Sequence, residues 1–136
     1  MRRFFFLCAT FVMSVGTLGV PGSSVGATNV GVLALSESAN LHSEMAMVGQ
    51  TITVTLHNTY WAYLKPSSSA LTQQGSVTYA LFPGSCVPGA GCGRVVITYV
   101  AKRHGSVVLK ASRTSCGEAM RCTGNNGRWS TTVVVH

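Results

Sequence analysis

Regular alternation of apolar and polar residues is the feature that most constrains the fold of this chain. In Thr51–Leu56, three apolar residues alternate with three threonines, as expected for a strand with one buried face. Arg94–Ala101 and Ser106–Ser112 repeat the pattern. After residue 28 no segment keeps a helical period over three turns. The sequence therefore predicts an all-β protein.

Short strand-like runs separated by Gly, Ser, Pro and Asn clusters favour an Ig-like, two-sheet antiparallel β-sandwich of about seven strands. The predicted strands are Val30–Leu35, Thr51–Leu56, Tyr60–Leu64, Ser76–Phe82, Arg94–Ala101, Ser106–Ser112 and Trp129–Val135. The turn Lys102–Gly105 predicts either a hairpin or a sandwich corner. For Ser36–Val48, a single capped helical turn and an irregular connection both remain open.

The N-terminal segment has the organisation of an export signal. Met1-Arg2-Arg3 is positively charged, Phe4–Val20 is apolar, and Val25-Gly26-Ala27 supplies small residues for cleavage. We therefore predict a signal peptide over 1–27 and one domain over 28–136, in a secreted or extracytoplasmic protein. An uncleaved anchor is the alternative, because the apolar stretch is close to the shortest that can span a bilayer.

Four of the five cysteines lie outside this signal and form two C-x5-C pairs. An even number of cysteines in an exported domain predicts disulfides. We favour the local bridges Cys86–Cys92 and Cys116–Cys122 over a crossed pattern. A four-cysteine zinc site usually needs tighter C-x2-C spacing. No metal or other cofactor is therefore expected.

The chain contains no aspartate, since its three acidic residues are all glutamates. A Ser-His-Asp triad, an aspartic dyad and an Asp-based calcium loop are thereby excluded, and we predict that the protein is not an enzyme. Its ten lysines and arginines are scattered, which argues against a nucleic-acid surface. Arg113, Arg121 and Arg128 are open to two interpretations, an anion-binding face or separately solvated charges.

The unusual residues fall in three loops rather than in the strands. The first, His57–Trp61, contains two aromatic residues; the second, Cys86–Gly93, is rich in glycine; the third spans Arg113–Arg128. A disulfide that closes a polar loop lowers the entropic cost of ordering it. Such loops are suited to binding, because preordering reduces the cost of association.

From Val48 to Val135 the chain resembles the chagasin-like inhibitors of papain-type cysteine proteases, which are secreted Ig-like β-sandwiches. In that family three loops at one end enter the protease cleft. Asn58-Thr59-Tyr60-Trp61 is similar to the end of the family's first loop, Gly89-Ala90-Gly91 to its glycine-rich second loop, and Arg113 to the arginine that opens its third. The third loop continues with Thr114-Ser115 where the family has Pro-Trp.

The resemblance implies a monomeric, non-catalytic protein that reversibly inhibits a papain-like cysteine protease and binds neither nucleic acid nor, after signal cleavage, a membrane. The implied contact residues are Asn58, Thr59, Tyr60, Trp61, Gly89, Ala90, Gly91 and Arg113. Trp61 has an alternative role as a core tryptophan, and the glycines as simple turn residues. A structural or adhesive Ig-like module of the cell envelope is the competing function. Inhibition requires these residues to cluster at one end of the fold.

Overall fold

The computed structural model describes residues 30–82, 84, 86–117 and 119–136. The predicted signal peptide, residues 1–27, lies outside the described residues. The strands are β1 (Val32–Leu35), β2 (Ser43–Ala46), β3 (Thr51–His57), β4 (Ala62–Tyr63), β5 (Leu71–Ala80), β6 (Arg94–Ala101), β7 (Gly105–Ser112), β8 (Ser115–Gly117), β9 (Met120–Arg121) and β10 (Arg128–Val135). Two 3₁₀ turns cover Glu37–Ala39 and Gly124–Gly127.

Two four-stranded sheets form the body of the molecule, with strand orders β1-β3-β6-β5 and β2-β10-β7-β4. A small hairpin, β8-β9, lies apart from them. This architecture confirms the predicted all-β sandwich, with short strands added to the seven expected. The other pairings are antiparallel as predicted, but at two edges β1 pairs in parallel with β3 and β2 in parallel with β10.

The segment that joins β1 to β2 explains those parallel edges. It carries the chain from one sheet to the other through the turn Glu37–Ala39, so neither strand is constrained by a hairpin. Ser36 caps this turn, and its carbonyl accepts a hydrogen bond from the indole N–H of Trp129 at 3.0 Å. The connection that the sequence left undecided is therefore one short capped turn followed by an edge strand. In the same way, β6 and β7 meet at a sandwich corner, because they belong to different sheets.

The core lies between the sheets and follows the predicted alternation. The inward positions of the four central strands are buried: Ile52, Val54 and Leu56 in β3; Val95, Ile97 and Tyr99 in β6; Val107, Leu109 and Ala111 in β7; and Trp129, Thr131, Val133 and Val135 in β10. Complete burial of an aliphatic side chain contributes about 1.5–3 kcal/mol. These strands therefore hold the loops on a rigid base.

Tyr63 connects the two sheets through its hydroxyl group. It lies in β4, and its O–H is 3.1 Å from the carbonyl oxygens of both Val54 and Val95 on the opposite sheet. Burial, and secondarily the nearby Tyr99, raise the pKa of Tyr63 well above its usual value. Burial also raises the pKa of Tyr99 to about 12. Both hydroxyl groups are accordingly neutral at physiological pH.

Within the described ranges, no helix is long and apolar enough to cross a membrane.

Candidate functional site

Three loops meet at one end of the sandwich, which we call the loop pole. The first loop (residues 57–61) follows β3, the second (81–93) joins β5 to β6, and the third (113–127) joins β7 to β10. Strand register brings them together, because the β3–β6 ladder reaches His57 opposite Arg94 and the β7–β10 ladder reaches Ser112 opposite Arg128. The predicted clustering of the three loops is present in the fold.

Backbone hydrogen bonds join the first loop to the second. The N–H of Asn58 donates to the carbonyl of Gly93 at 2.8 Å, and the N–H of Thr59 donates to that of Gly91 at 2.9 Å. These two bonds continue the β3–β6 pairing beyond its last ladder position. The two loops are therefore ordered as one unit.

Side chains strengthen this connection. Asn58 has a positive φ of 88°, a conformation that asparagine tolerates better than most residues. Its side-chain N–H₂ donates to the Ala90 carbonyl at 3.1 Å, and its Oδ1 accepts from the backbone N–H of Tyr60 at 2.9 Å. The Tyr60 hydroxyl donates to the Gly89 carbonyl at 2.8 Å. We call the contacts of Asn58, Thr59 and Tyr60 with residues 89–93 the loop lock.

Two glycines make the loop lock sterically possible. Gly91 has φ +67°, and a Cβ there would lie 2.5 Å from Asn58 Oδ1 and 2.8 Å from the Tyr60 ring. Gly93 has φ +143°, and a Cβ there would lie 2.4 Å from the Ala80 carbonyl oxygen. Both positions therefore require glycine for close packing as well as for backbone conformation. The turn interpretation of Gly91 therefore holds, and the close packing at this glycine is within the chain.

The structure corrects the assignment of Trp61 as a contact residue. Its side chain is 4% exposed and belongs to the core, and its indole N–H donates to the His57 carbonyl at 2.9 Å. The guanidinium of Arg113 covers its ring, 4.5 Å from the centroid. Trp61 is therefore a core residue on which Arg113 packs. Arg113 joins the third loop to the first through this cation–π contact.

Both predicted disulfides are present, Cys86–Cys92 in the second loop and Cys116–Cys122 in the third. The second of these bridges links the β8–β9 hairpin to the residue after it. Arg113 anchors the far end of the third loop, because its Nε donates to the Asn126 carbonyl and its backbone N–H to the Gly127 carbonyl, both at 2.9 Å. The third loop is thus tied at its middle and at its base.

Sequence reasoning missed Glu37 at this site. Its carboxylate accepts a hydrogen bond from the backbone N–H of His57 and lies 3.1 Å from the His57 Nδ1. The possible capped turn at Ser38-Ala39-Asn40 was the only signal near Glu37, and it gave no indication that this segment packs beside the first loop. Gly93 and Asn126 were missed for the same reason, since their partners are distant in sequence.

The structure thus brings Asn58, Thr59 and Tyr60 against Gly89, Ala90 and Gly91 and places Arg113 beside them. Tyr60 is 38% exposed and Gly89 is also exposed. Three apolar side chains of the second loop, Leu81, Phe82 and Val87, are also exposed. In the described part of the chain, no group of three or more His, Cys, Asp or Glu side chains could hold a metal.

At the level of sequence, no protein-family model and no curated protein matches this chain. Solved structures do match. The crystal structure of the cysteine protease inhibitor EhICP2 from Entamoeba histolytica aligns with a TM-score of 0.58 and 12% identity, over 78% of this chain and 96% of that one. The fold is chagasin-like. The solution structure of amebosin aligns with a TM-score of 0.53 and 16% identity, over 76% of this chain and 97% of that one.

The resemblance predicted from the sequence is confirmed for the fold. The chagasin-like fold accounts for the position of the three loops, and EhICP2 is an inhibitor rather than an enzyme. Two disulfides are typical of a protein that folds in an oxidising, extracytoplasmic compartment.

Proposed function

We propose that this protein is a non-catalytic, reversible inhibitor of papain-type cysteine proteases that binds through its loop pole. The loop lock is the observation that carries the proposal. Hydrogen bonds from Asn58, Thr59 and Tyr60 hold residues 89–93 in one arrangement. The resemblance assigns inhibitory contacts to these same positions.

Inhibition would proceed by occlusion of the substrate cleft. Fixing a flexible side chain on association costs about 0.5–1.5 kcal/mol, and the loop lock has already removed much of that freedom from the first two loops. A bound loop that cannot adjust its backbone presents its peptide bonds poorly to a nucleophile. The expected result is tight association without cleavage.

The composition of the loop pole suits a protein surface as the partner. Tyr60 offers an aromatic face, and Leu81, Phe82 and Val87 are 74%, 47% and 54% exposed. Several large exposed apolar side chains within two neighbouring loops favour a protein contact site. Arg113 adds a cation whose position Trp61 and Asn126 fix.

Titration of the oxidised protein against papain and a cathepsin-type protease tests the proposal, with hydrolysis of a fluorogenic peptide as the readout. We expect reversible inhibition at submicromolar concentration, weakened about tenfold or more by Tyr60→Ala and by Arg113→Ala, in line with truncation of interface hot spots. Lys102→Ala, in the corner at the opposite end of β6, is the matched control and should inhibit like the unaltered protein.

Absence of inhibition up to tens of micromolar protein, with both disulfides formed and a cooperative unfolding transition, would contradict the proposal. The competing function, a structural or adhesive Ig-like module of the cell envelope, would then be favoured. If Tyr60→Ala and Lys102→Ala inhibited equally well, the inhibitory function would stand, but the loop pole would not be the contact surface.

A further inference from the structure

The third loop contains a feature of which the inhibitor proposal uses only Arg113. An open depression of about 790 Å³ lies between the β8–β9 hairpin and the start of β10. Arg113, Arg121 and Arg128 all line it, and none of its described lining residues is acidic. We call it the arginine groove. The structure therefore favours the first of the two interpretations that the sequence left open for these arginines.

The fold brings the three cations to this groove from separate positions. Arg128 begins β10 opposite Ser112, so it lies beside Arg113 at the end of β7. Arg121 comes from β9, where it pairs with Ser115. Like charges placed together repel one another unless a counter-charge is bound. The Cys116–Cys122 disulfide helps to hold the hairpin that keeps them together.

The chemistry of the groove suits carboxylates. Each arginine presents a planar set of donors that matches a carboxylate in a bidentate geometry. Arg113 uses its Nε on the Asn126 carbonyl, so its terminal nitrogens can face a ligand. Hydroxyl and amide groups of Thr114, Ser115 and Asn125 also line the groove. Its volume lies in the range of pockets that enclose drug-sized ligands. A ligand of that size corresponds to a few peptide residues.

Nucleic acid fits the groove less well. Single-stranded nucleic acids are held by aromatic side chains on which bases stack, together with cations that follow the backbone. None of the described residues that line the arginine groove is aromatic, and the exposed Tyr60 belongs to the first loop. The groove supplies charge without a stacking surface, which favours a short acidic peptide segment.

We infer that the arginine groove binds an acidic peptide segment of a partner protein through its glutamate or aspartate carboxylates, with Arg121 and Arg128 as the main contacts. This site is separate from the loop lock. It needs neither Tyr60 nor Gly89, and it does not depend on inhibition of a protease.

Fluorescence polarisation with labelled tetraglutamate and tetraglutamine peptides tests the inference on the oxidised protein. We expect saturable binding of tetraglutamate, at least tenfold weaker binding of tetraglutamine, and weakening as salt rises from about 20 to 200 mM, because salt screens exposed charges. Arg121→Gln and Arg128→Gln should each weaken binding about 3- to 10-fold, as expected for loss of a charge-assisted hydrogen bond.

Lys102→Gln removes the same charge at the opposite end of the molecule and should change affinity less than twofold. The inference is wrong if tetraglutamate fails to bind below about 1 mM, equivalent to about −4 kcal/mol, or if Lys102→Gln weakens binding as much as Arg121→Gln. Tighter binding of a labelled oligothymidine than of tetraglutamate would also overturn it, in favour of nucleic acid. Because no protease is present, failure of the inhibitor proposal leaves these outcomes unchanged.

Discussion

In the body of the molecule, four central strands bury alternating apolar side chains between two sheets, whereas at the loop pole few residues are buried and the backbone is held by individual hydrogen bonds and two disulfides. Burial is non-directional and tolerates many apolar residues. A hydrogen bond such as that from Tyr60 to Gly89 requires one donor in one position. The stability of the body and the conformation of the loops should therefore respond to different substitutions.

Leu109→Ala should have the largest effect on stability. Leu109 is 2% exposed in the centre of β7, and its truncation leaves a cavity that costs about 2–5 kcal/mol. Urea unfolding followed by fluorescence measures the loss. Val108→Ala on the half-buried outer face of the same strand is the control and should cost about 1 kcal/mol or less. Similar losses for the two variants would contradict a stability concentrated in the inter-sheet core.

Gly91→Ala should alter the conformation of the loops, and with it inhibition, much more than the overall stability of the protein. The added methyl group would collide with Asn58 Oδ1 and the Tyr60 ring, so we expect protease inhibition to weaken about tenfold or more. Gly75→Ala is a close control, because Gly75 has φ +68° but nothing within 4 Å of its Cβ position. Both variants should lose about 1 kcal/mol of stability from backbone strain. If Gly75→Ala weakened inhibition equally, the loop lock would not be the cause.

Alkaline pH should destabilise the body through the buried Tyr99 and the half-buried Tyr63. Burial raises the pKa of Tyr99 to about 12 and that of Tyr63 in the same direction. Above the ordinary tyrosine pKa of about 10, the unfolded chain loses protons that the folded protein retains. Stability is therefore fully present below pH 10 and decreases as the pH rises toward 12, by about 1 kcal/mol for each tyrosine at pH 11.

Urea unfolding at pH 8, 10 and 11 measures this decrease. Tyr63→Phe should show a shallower decrease between pH 10 and 11 than the unaltered protein. An unchanged slope would exclude Tyr63 as a source of the pH dependence.

Glu37→Gln should have the smallest effect. The pair between Glu37 and His57 lies at the surface, and exposed pairs contribute about 0–1 kcal/mol. Glutamine keeps one oxygen that can accept from the His57 N–H. We expect less than about 0.5 kcal/mol change in the free energy of unfolding and less than twofold change in inhibition. A larger loss would show that the turn Glu37–Ala39 helps to position the first loop.

The difference between the buried body and the hydrogen-bonded loops also explains what could be predicted from the sequence. Strands β3, β6 and β7 were predicted nearly to the residue, because alternation records which face is buried. Edge strands such as β2, in Ser43–Ala46, were missed, since their pairing with β10 depends on partners far along the chain. The disulfides were predicted because spacing limits how cysteines can pair.

The candidate site was predicted only in part. Asn58, Tyr60 and Gly91 were identified by residue type and order, but Trp61 was assigned a surface role that its 4% exposure rules out. Trp61 directly precedes the short strand β4, and nothing in the local sequence distinguishes a core tryptophan from a contact tryptophan there. The Glu37–His57 contact joins residues of different segments, so no local pattern could indicate it.

The pairing of β2 with β10 has a consequence for how the chain is made. A ribosome delivers Ser43–Ala46 well before Arg128–Val135, yet these strands lie side by side, with β10 between β2 and β7. Until β10 is released, the nascent chain has one complete set of partners for β3 and β6 but an open gap in the second sheet. The second sheet can therefore close only after about eighty further residues have been added beyond β2, the distance in sequence from one strand to the other, and contacts so distant in sequence form slowly. A deletion of β10 would leave both β2 and β7 without their shared neighbour.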